Sequence, residues 1–219
     1  MKTISIRMAF IGMAFIGVAL FLSGCASTPT DYSALQSERP VRILVIPPDN
    51  QTPELKGTYT FVSTITKPLA EKGYYVYPVD VVDQYFKSNG VVLAQEMNRV
   101  PVAKLNEQFS PDAILYTRLD YLGQKFAIFQ SYGLIQGEMK LVSAKTERVL
   151  WAQKIFLSDQ QQQSGSNPME SLVGAVIGQM LSSIDDSKFF NLSSMANALA
   201  INAKGSGLLP GGMIVSDKQ

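Results

Sequence analysis

The only cysteine in this 219-residue chain is Cys25, and it closes an apolar leader in the sequence Leu22-Ser23-Gly24-Cys25. That placement limits what can follow. No disulfide can form within the chain, so the fold must be held by its core alone. There is no histidine anywhere, so zinc sites built from Cys and His are excluded as well.

Lys2 and Arg7 give the leader a basic start. The uncharged run from Met8 to Leu22 is about 15 residues long, short of the roughly 20 that a spanning helix needs. Its length suits the core of a secretory signal peptide. Small residues before the cysteine let a peptidase reach the backbone, and the thiol accepts a diacylglyceryl group. The pattern resembles the bacterial lipobox, so residues 1–24 read as a cleaved signal peptide and Cys25 as the lipidated first residue of the mature chain. One acyl chain is a marginal anchor, whereas several are effectively permanent. Ala26 follows the cysteine where an Asp would commonly mark inner-membrane retention. By that resemblance the expected location is the outer membrane, facing the periplasm.

Once Lys2 and Arg7 are removed with the leader, 17 of the 19 basic residues remain against all 18 acidic ones. No basic field exists to attract nucleic acid. Residues 25–40 are polar beyond the cysteine and read as a flexible tether. Residues 41–204 read as one α/β domain, and 205–219 as a Gly-rich tail.

Within the domain, Val41–Ile46 is apolar on both faces and stops at Pro47-Pro48, which suggests a central strand. Gly57–Lys72 carries Thr58, Phe61, Ile65 and Leu69 at helical spacing, with Pro68 as a kink or a late start. Tyr74–Val79 is the next strand, and Asp80 then caps a helix over Val81–Lys87. Val91–Phe109 reads as two short helices broken at Pro101. Ala113–Tyr121 and Phe129–Val142 are strands. Val149–Leu157 returns after a polar turn, with Val149, Trp151, Ile155 and Leu157 facing one way. Ile135, Met139 and Leu141 share that apolar face, while Gln136, Glu138 and Lys140 face water. Ser158–Pro168 is a loop, and helices follow over Met169–Ile184 and Ser187–Lys204. The order implies a mixed β-sheet of about five strands with flanking helices.

Candidates for chemistry are few. Without His, and with Cys25 acylated, Ser-His and Cys-His nucleophile systems are absent. No nucleophile elbow or phosphate loop occurs. Asp49, at the end of the first strand, is the best placed acid, and also an ordinary turn residue. Asp120 and Glu138 lie on adjacent expected strands, beside Arg118 and Lys140. Tyr74, Tyr75 and Tyr77 form either a carbohydrate-stacking surface or strand packing. Gly174 and Gly178, four apart on one helix, allow a dimer face or close packing of that helix on its own sheet. No catalytic residue, cofactor or metal ligand is assigned.

Five stretches together carry a family likeness. They are Arg42-Ile43-Leu44-Val45-Ile46-Pro47-Pro48-Asp49-Asn50, Pro68 through Pro78, Pro111 through Tyr116, Leu141-Val142 with Thr146-Glu147 and Leu150-Trp151, and Gly207-Leu208-Leu209-Pro210-Gly211. In this order they resemble a family of bacterial outer-membrane lipoproteins of unassigned function. The turn Ser-Ala-Lys-Thr-Glu departs from the family, which tends to have Asp and Thr-Gly there. The resemblance implies a fold like the N-terminal domain of TolB, similar to LpoB and PelC, and an association with CsgG-like lipoproteins. It implies an accessory role in secretion, export or envelope assembly, through contact with another envelope protein, and allows a homo-oligomer. A carbohydrate-binding protein or hydrolase acting on peptidoglycan or exopolysaccharide is the alternative.

Overall fold

A computed structural model describes residues 30–52, 57–126, 131–158 and 186–213. Its elements in chain order are α1 (Ser33–Glu38), β1 (Arg42–Val45), β2 (Asp49–Asn50), α2 (Gly57–Glu71), β3 (Tyr75–Val76), α3 (Val79–Ser88), α4 (Ala94–Met97), α5 (Val102–Phe109), β4 (Ala113–Phe126), β5 (Ser131–Ser143), β6 (Val149–Ser158) and α6 (Asp186–Ile201). The strands form one mixed sheet in the order β3-β1-β4-β5-β6, with β2 also paired to β4. β1 runs parallel to β3 and β4, and β4, β5 and β6 form an antiparallel meander.

The apolar run of β1 explains its central place. Ile43 and Val45 join a core with Phe61, Ile65 and Leu69 of α2 and Leu192, Ala196 and Ile201 of α6. Leu44, with the following Ile46, faces the other way, onto Val82 and Phe86 of α3, Met97 of α4 and Leu105 of α5. Trp151 is buried with Ile135, Met139 and Leu141, as the alternation of β5 and β6 implies. Asn197 ties α6 to α2 through its amide, which donates to the Phe61 carbonyl at 3.0 Å and to Thr64 Oγ1 at 2.8 Å.

Turn chemistry follows the residues. Gly73 takes φ +85° after α2, where the left-handed region favours glycine. At the β5–β6 turn Ser143 Oγ accepts from the backbone N–H groups of Lys145 and Thr146, as an Asp would. Glu147 adopts φ +58°, a conformation easier for glycine. Ser143 and Glu147 thus take the positions for which the turn geometry itself favours Asp and Gly.

Several expectations change. β2 is a strand where a turn was expected. β4 runs on to Phe126 because an irregularity between Leu119 and Tyr121 shifts its alternation. A second irregularity, between Leu141 and Val142, leaves Val149 exposed and buries Leu150 beside Trp151. α3 begins at Val79 with Pro78 at its cap, so Asp80 lies in the first turn and is not the cap. The described residues of the expected tether and tail, 30–40 and 205–213, are docked on the domain. α1 buries Leu35, and the Tyr32 hydroxyl donates to the Gly207 carbonyl at 2.5 Å. Leu208 is 1% exposed, Trp151 Nε1 donates to the Ser206 carbonyl at 2.9 Å, and the Tyr74 hydroxyl donates to the Leu209 carbonyl at 2.7 Å. The segment after α6 is therefore part of the core. The helix expected over Met169–Ile184 and the loop after Ser158 lie outside the described residues.

Candidate interaction face

One half of one sheet face carries no helix among the described residues. α2 and α6 cover one side of the sheet, while α3, α4 and α5 cover the other only over β1 and the start of β4. Period-two alternation then turns the polar residues of β4, β5 and β6 outward. Arg118, Asp120, Gln136, Lys140, Ala152, Lys154 and Phe156 are exposed there, and Glu138 is half-buried. Arg118, Asp120, Gln136, Glu138, Lys154 and Phe156 line a depression of about 240 Å³.

The charges are interleaved. Arg118 Nε donates to Asp120 Oδ1 at 2.8 Å, and Lys140 Nζ lies 3.2 Å from Glu138 Oε2. Hydrogen bonding to Asp120, with the charges of Asp120, Glu138 and Asp49 nearby, holds the Arg118 guanidinium more firmly in its charged form. Burial pushes the Tyr116 hydroxyl up to about 12, with Glu147 adding to it. Asp49 sits on β2 beside Arg118, and its Oδ1 accepts from the Gln51 side-chain amide at 2.6 Å. The three acids considered for chemistry are thus brought onto one face, each beside a base.

The tyrosines do not form a stacking surface. Tyr74 is buried, and its burial raises its hydroxyl pKa. Tyr77 is half-buried, donates to the Phe109 carbonyl at 2.7 Å, and meets Phe109 edge-on. Tyr75 alone of the three is exposed, and it packs edge-on against Tyr77. Cys25, Leu22, Ser23, Gly24, Gly174 and Gly178 lie outside the described residues. Among the described residues no three His, Cys, Asp or Glu are grouped to hold a metal ion. None of the described helices is long and apolar enough to cross a membrane.

Comparison with known proteins supplies the context. The family described as "Putative lipoprotein GNA1162-like" matches residues 30–213. A protein of Neisseria meningitidis serogroup B, named "Putative lipoprotein NMB1124/NMB1162", is 30% identical over 206 residues, covering 93% of this chain and 96% of its own. The crystal structure of lipoprotein GNA1162 from Neisseria meningitidis superposes with a TM-score of 0.52 at 34% identity, over 66% of this chain and all of that one. Weaker similarities include a PelC dodecamer structure from Paraburkholderia phytofirmans (TM-score 0.41, 12% identity, 76% and 94% covered). The LpoB C-terminal domain from Salmonella enterica gives a TM-score of 0.38 at 15% identity, with 64% and 91% covered.

Proposed function

This chain belongs to the GNA1162-like lipoprotein family, and from that premise we propose that it is a non-catalytic lipoprotein working by surface contact in the bacterial envelope. Cys25 carries the lipid, and the folded body faces the periplasm from the outer membrane. Its partner is another envelope protein of a secretion, export or assembly complex, a CsgG-like lipoprotein being the kind the family likeness implies.

The sheet face that no described helix covers supports the contact reading best. A reaction centre isolates its acid or base so that its pKa suits proton transfer. Here Asp120 and Glu138 are each paired with a base on their own strand. Such a face suits recognition of another surface. The anchor reading adds a geometric limit. Asp31 opens α1's docked segment, and six residue steps from Cys25 reach about 20 Å at most. The body is then held close to the bilayer, not on a long tether.

Metabolic labelling with palmitate tests the anchor. The wild type should incorporate label and Cys25→Ser should not, since a hydroxyl cannot replace the thiol. Label in the Cys25→Ser protein would overturn the anchor. Crosslinking and pull-down from intact envelopes tests the contact. Asp49→Asn abolishing the cellular phenotype while folding and assembly persist would replace surface contact with an acid-dependent site.

A further inference from the structure

We propose that the uncovered sheet face docks against the same face of a second copy of this chain, about a two-fold axis running along the strands between β4 and β5. The proposal rests on the surface-contact reading and names the partner of that face.

The strand register carries the argument. Asp49 pairs with Arg118, Arg118 with Glu138, and Glu138 with Lys154, so four residues form one row across β2, β4, β5 and β6. Their charges alternate: minus, plus, minus, plus. With strands about 4.8 Å apart the row spans about 14 Å. An axis at its centre reverses the row. Asp49 of one copy then faces Lys154 of the other, and Arg118 faces Glu138, each pair occurring twice. The flanking position away from the helices agrees, for Asp120 meets Gln136. No like charges are opposed. An isologous interface requires a patch complementary to itself, and this row meets that condition.

The ends of the row point the same way. Within one copy Arg118 pairs with Asp120 and Lys140 with Glu138. Among the described residues Asp49 and Lys154 have no ion-pair partner. The symmetry axis brings Asp49 of one copy to Lys154 of the other, giving each an ion-pair partner. A polyanion or an anionic lipid surface would meet three acids and three bases on this face, and so as much repulsion as attraction. Phe156, 55% exposed beside Lys154, adds apolar area. Exposed ion pairs are individually weak, so the contact depends on confinement. Two chains anchored in one bilayer have an effective concentration far above that in solution.

The test uses lipidated full-length protein in phosphatidylethanolamine–phosphatidylglycerol vesicles, as donor- and acceptor-labelled populations. Vesicle flotation reports the anchor separately, so failure of the lipoprotein reading is seen before any energy transfer is measured. Wild-type copies should show transfer that falls as salt rises from about 50 to 500 mM. Lys154→Asp alone and Asp49→Lys alone should each lower transfer at least about fivefold, with melting temperatures unchanged. Mixing a Lys154→Asp donor with an Asp49→Lys acceptor should restore it, because both end pairs then become attractive again. Transfer that is absent in the floated wild type, that survives either single reversal, or that stays lost in the mixture overturns the proposal.

Discussion

Trp151 is the single tryptophan of the chain, and it joins three parts of the fold. Its ring is 2% exposed, in the cluster that also holds Ile135, Met139 and Leu141. Its Nε1–H reaches the Ser206 carbonyl at 2.9 Å, holding the segment after α6 against β6. Trp151→Ala removes the indole, leaves a cavity and strands that carbonyl. Deleting a buried aromatic ring typically costs about 3–5 kcal/mol. A domain is stable by only about 5–15 kcal/mol, so the loss is a large share. Trp151→Phe separates the contributions. It loses one hydrogen bond, about 0.5–1.5 kcal/mol, and the apolar part of the second ring, at about 0.8 kcal/mol per buried methylene equivalent. A total of about 2–3 kcal/mol is expected. Urea unfolding followed by circular dichroism measures both variants. At about 2–4 °C per kcal/mol, Trp151→Ala should melt about 6–20 °C below the wild type. Wild-type fluorescence should shift to the red only on unfolding. Emission typical of a water-exposed indole in the native protein, or a Trp151→Ala cost below about 1 kcal/mol, would refute the burial argument.

Gly137→Ala should destabilise by about 1–3 kcal/mol or more, because a Cβ there collides with the Arg118 backbone carbonyl oxygen, which cannot rotate away; chemical denaturation checks it, and unchanged stability would show that β4 and β5 are farther apart. Asp112 accepts backbone N–H bonds from Val41 and Arg42 and an ion pair from the Arg42 guanidinium. Burial opposes its ionisation, but these donors outweigh burial and hold its carboxyl below the usual value. A depressed folded pKa gives stability that is full above the unfolded value of about 3.9, fades below it and is lost as pH falls through the lowered folded value. Asp112→Asn should therefore cost about 1–2 kcal/mol at neutral pH and less at pH 3; an equal loss at both pH values would contradict it. Leu35→Ala should expose α1 to proteolysis while leaving the melting of the sheet core nearly unchanged, because α1 buries no other residue; unchanged protease resistance would place the strength of that docking elsewhere.

The sequence was most readable where periodicity and burial agree. β1 was evident because three consecutive apolar residues face two different cores. The outward turn of Gln136, Glu138 and Lys140 followed from strict alternation. Where a strand departs from alternation the signal fails. The irregularity after Leu119 hid the second half of β4, and the one at Val142 reversed the assignment of Val149. β2 was missed for another reason: two residues after a Pro-Pro stop carry no period at all. The wet side of the hairpin is legible from alternation, but its charged row is complete only once β2 is seen to pair with β4 and bring Asp49 beside Arg118. The tail was misread because glycine and proline suggest irregular backbone, and irregular backbone can still be buried. Gly211 and Met213 donate to the Lys72 and Gly73 carbonyls, at 2.7 and 3.1 Å, so this segment is bonded as firmly as a strand end.

The docking of residues 32–38 and 206–213 onto the domain bears on the proposed surface-contact role. A long flexible tether makes a lipoprotein a reaching device, with its body sampling partners across the periplasm at low effective concentration. Here Tyr32, Leu35 and the segment from Ser206 to Met213 lock together. That joins the N-terminal side of the domain to the sheet itself, through Trp151. Six residue steps from Cys25 to Asp31 span about 20 Å at most, so the proposed anchor would limit the height of the body above the bilayer. On the proposed reading, a weakly interacting face would meet partners already confined to the same layer, at an effective concentration above that in solution. Interleaved charges suit that arrangement. They contribute little affinity, but they set register and reject misaligned neighbours. If the proposed anchor and contact both hold, the docked flanking segments would supply proximity and the charged face would supply the choice of partner.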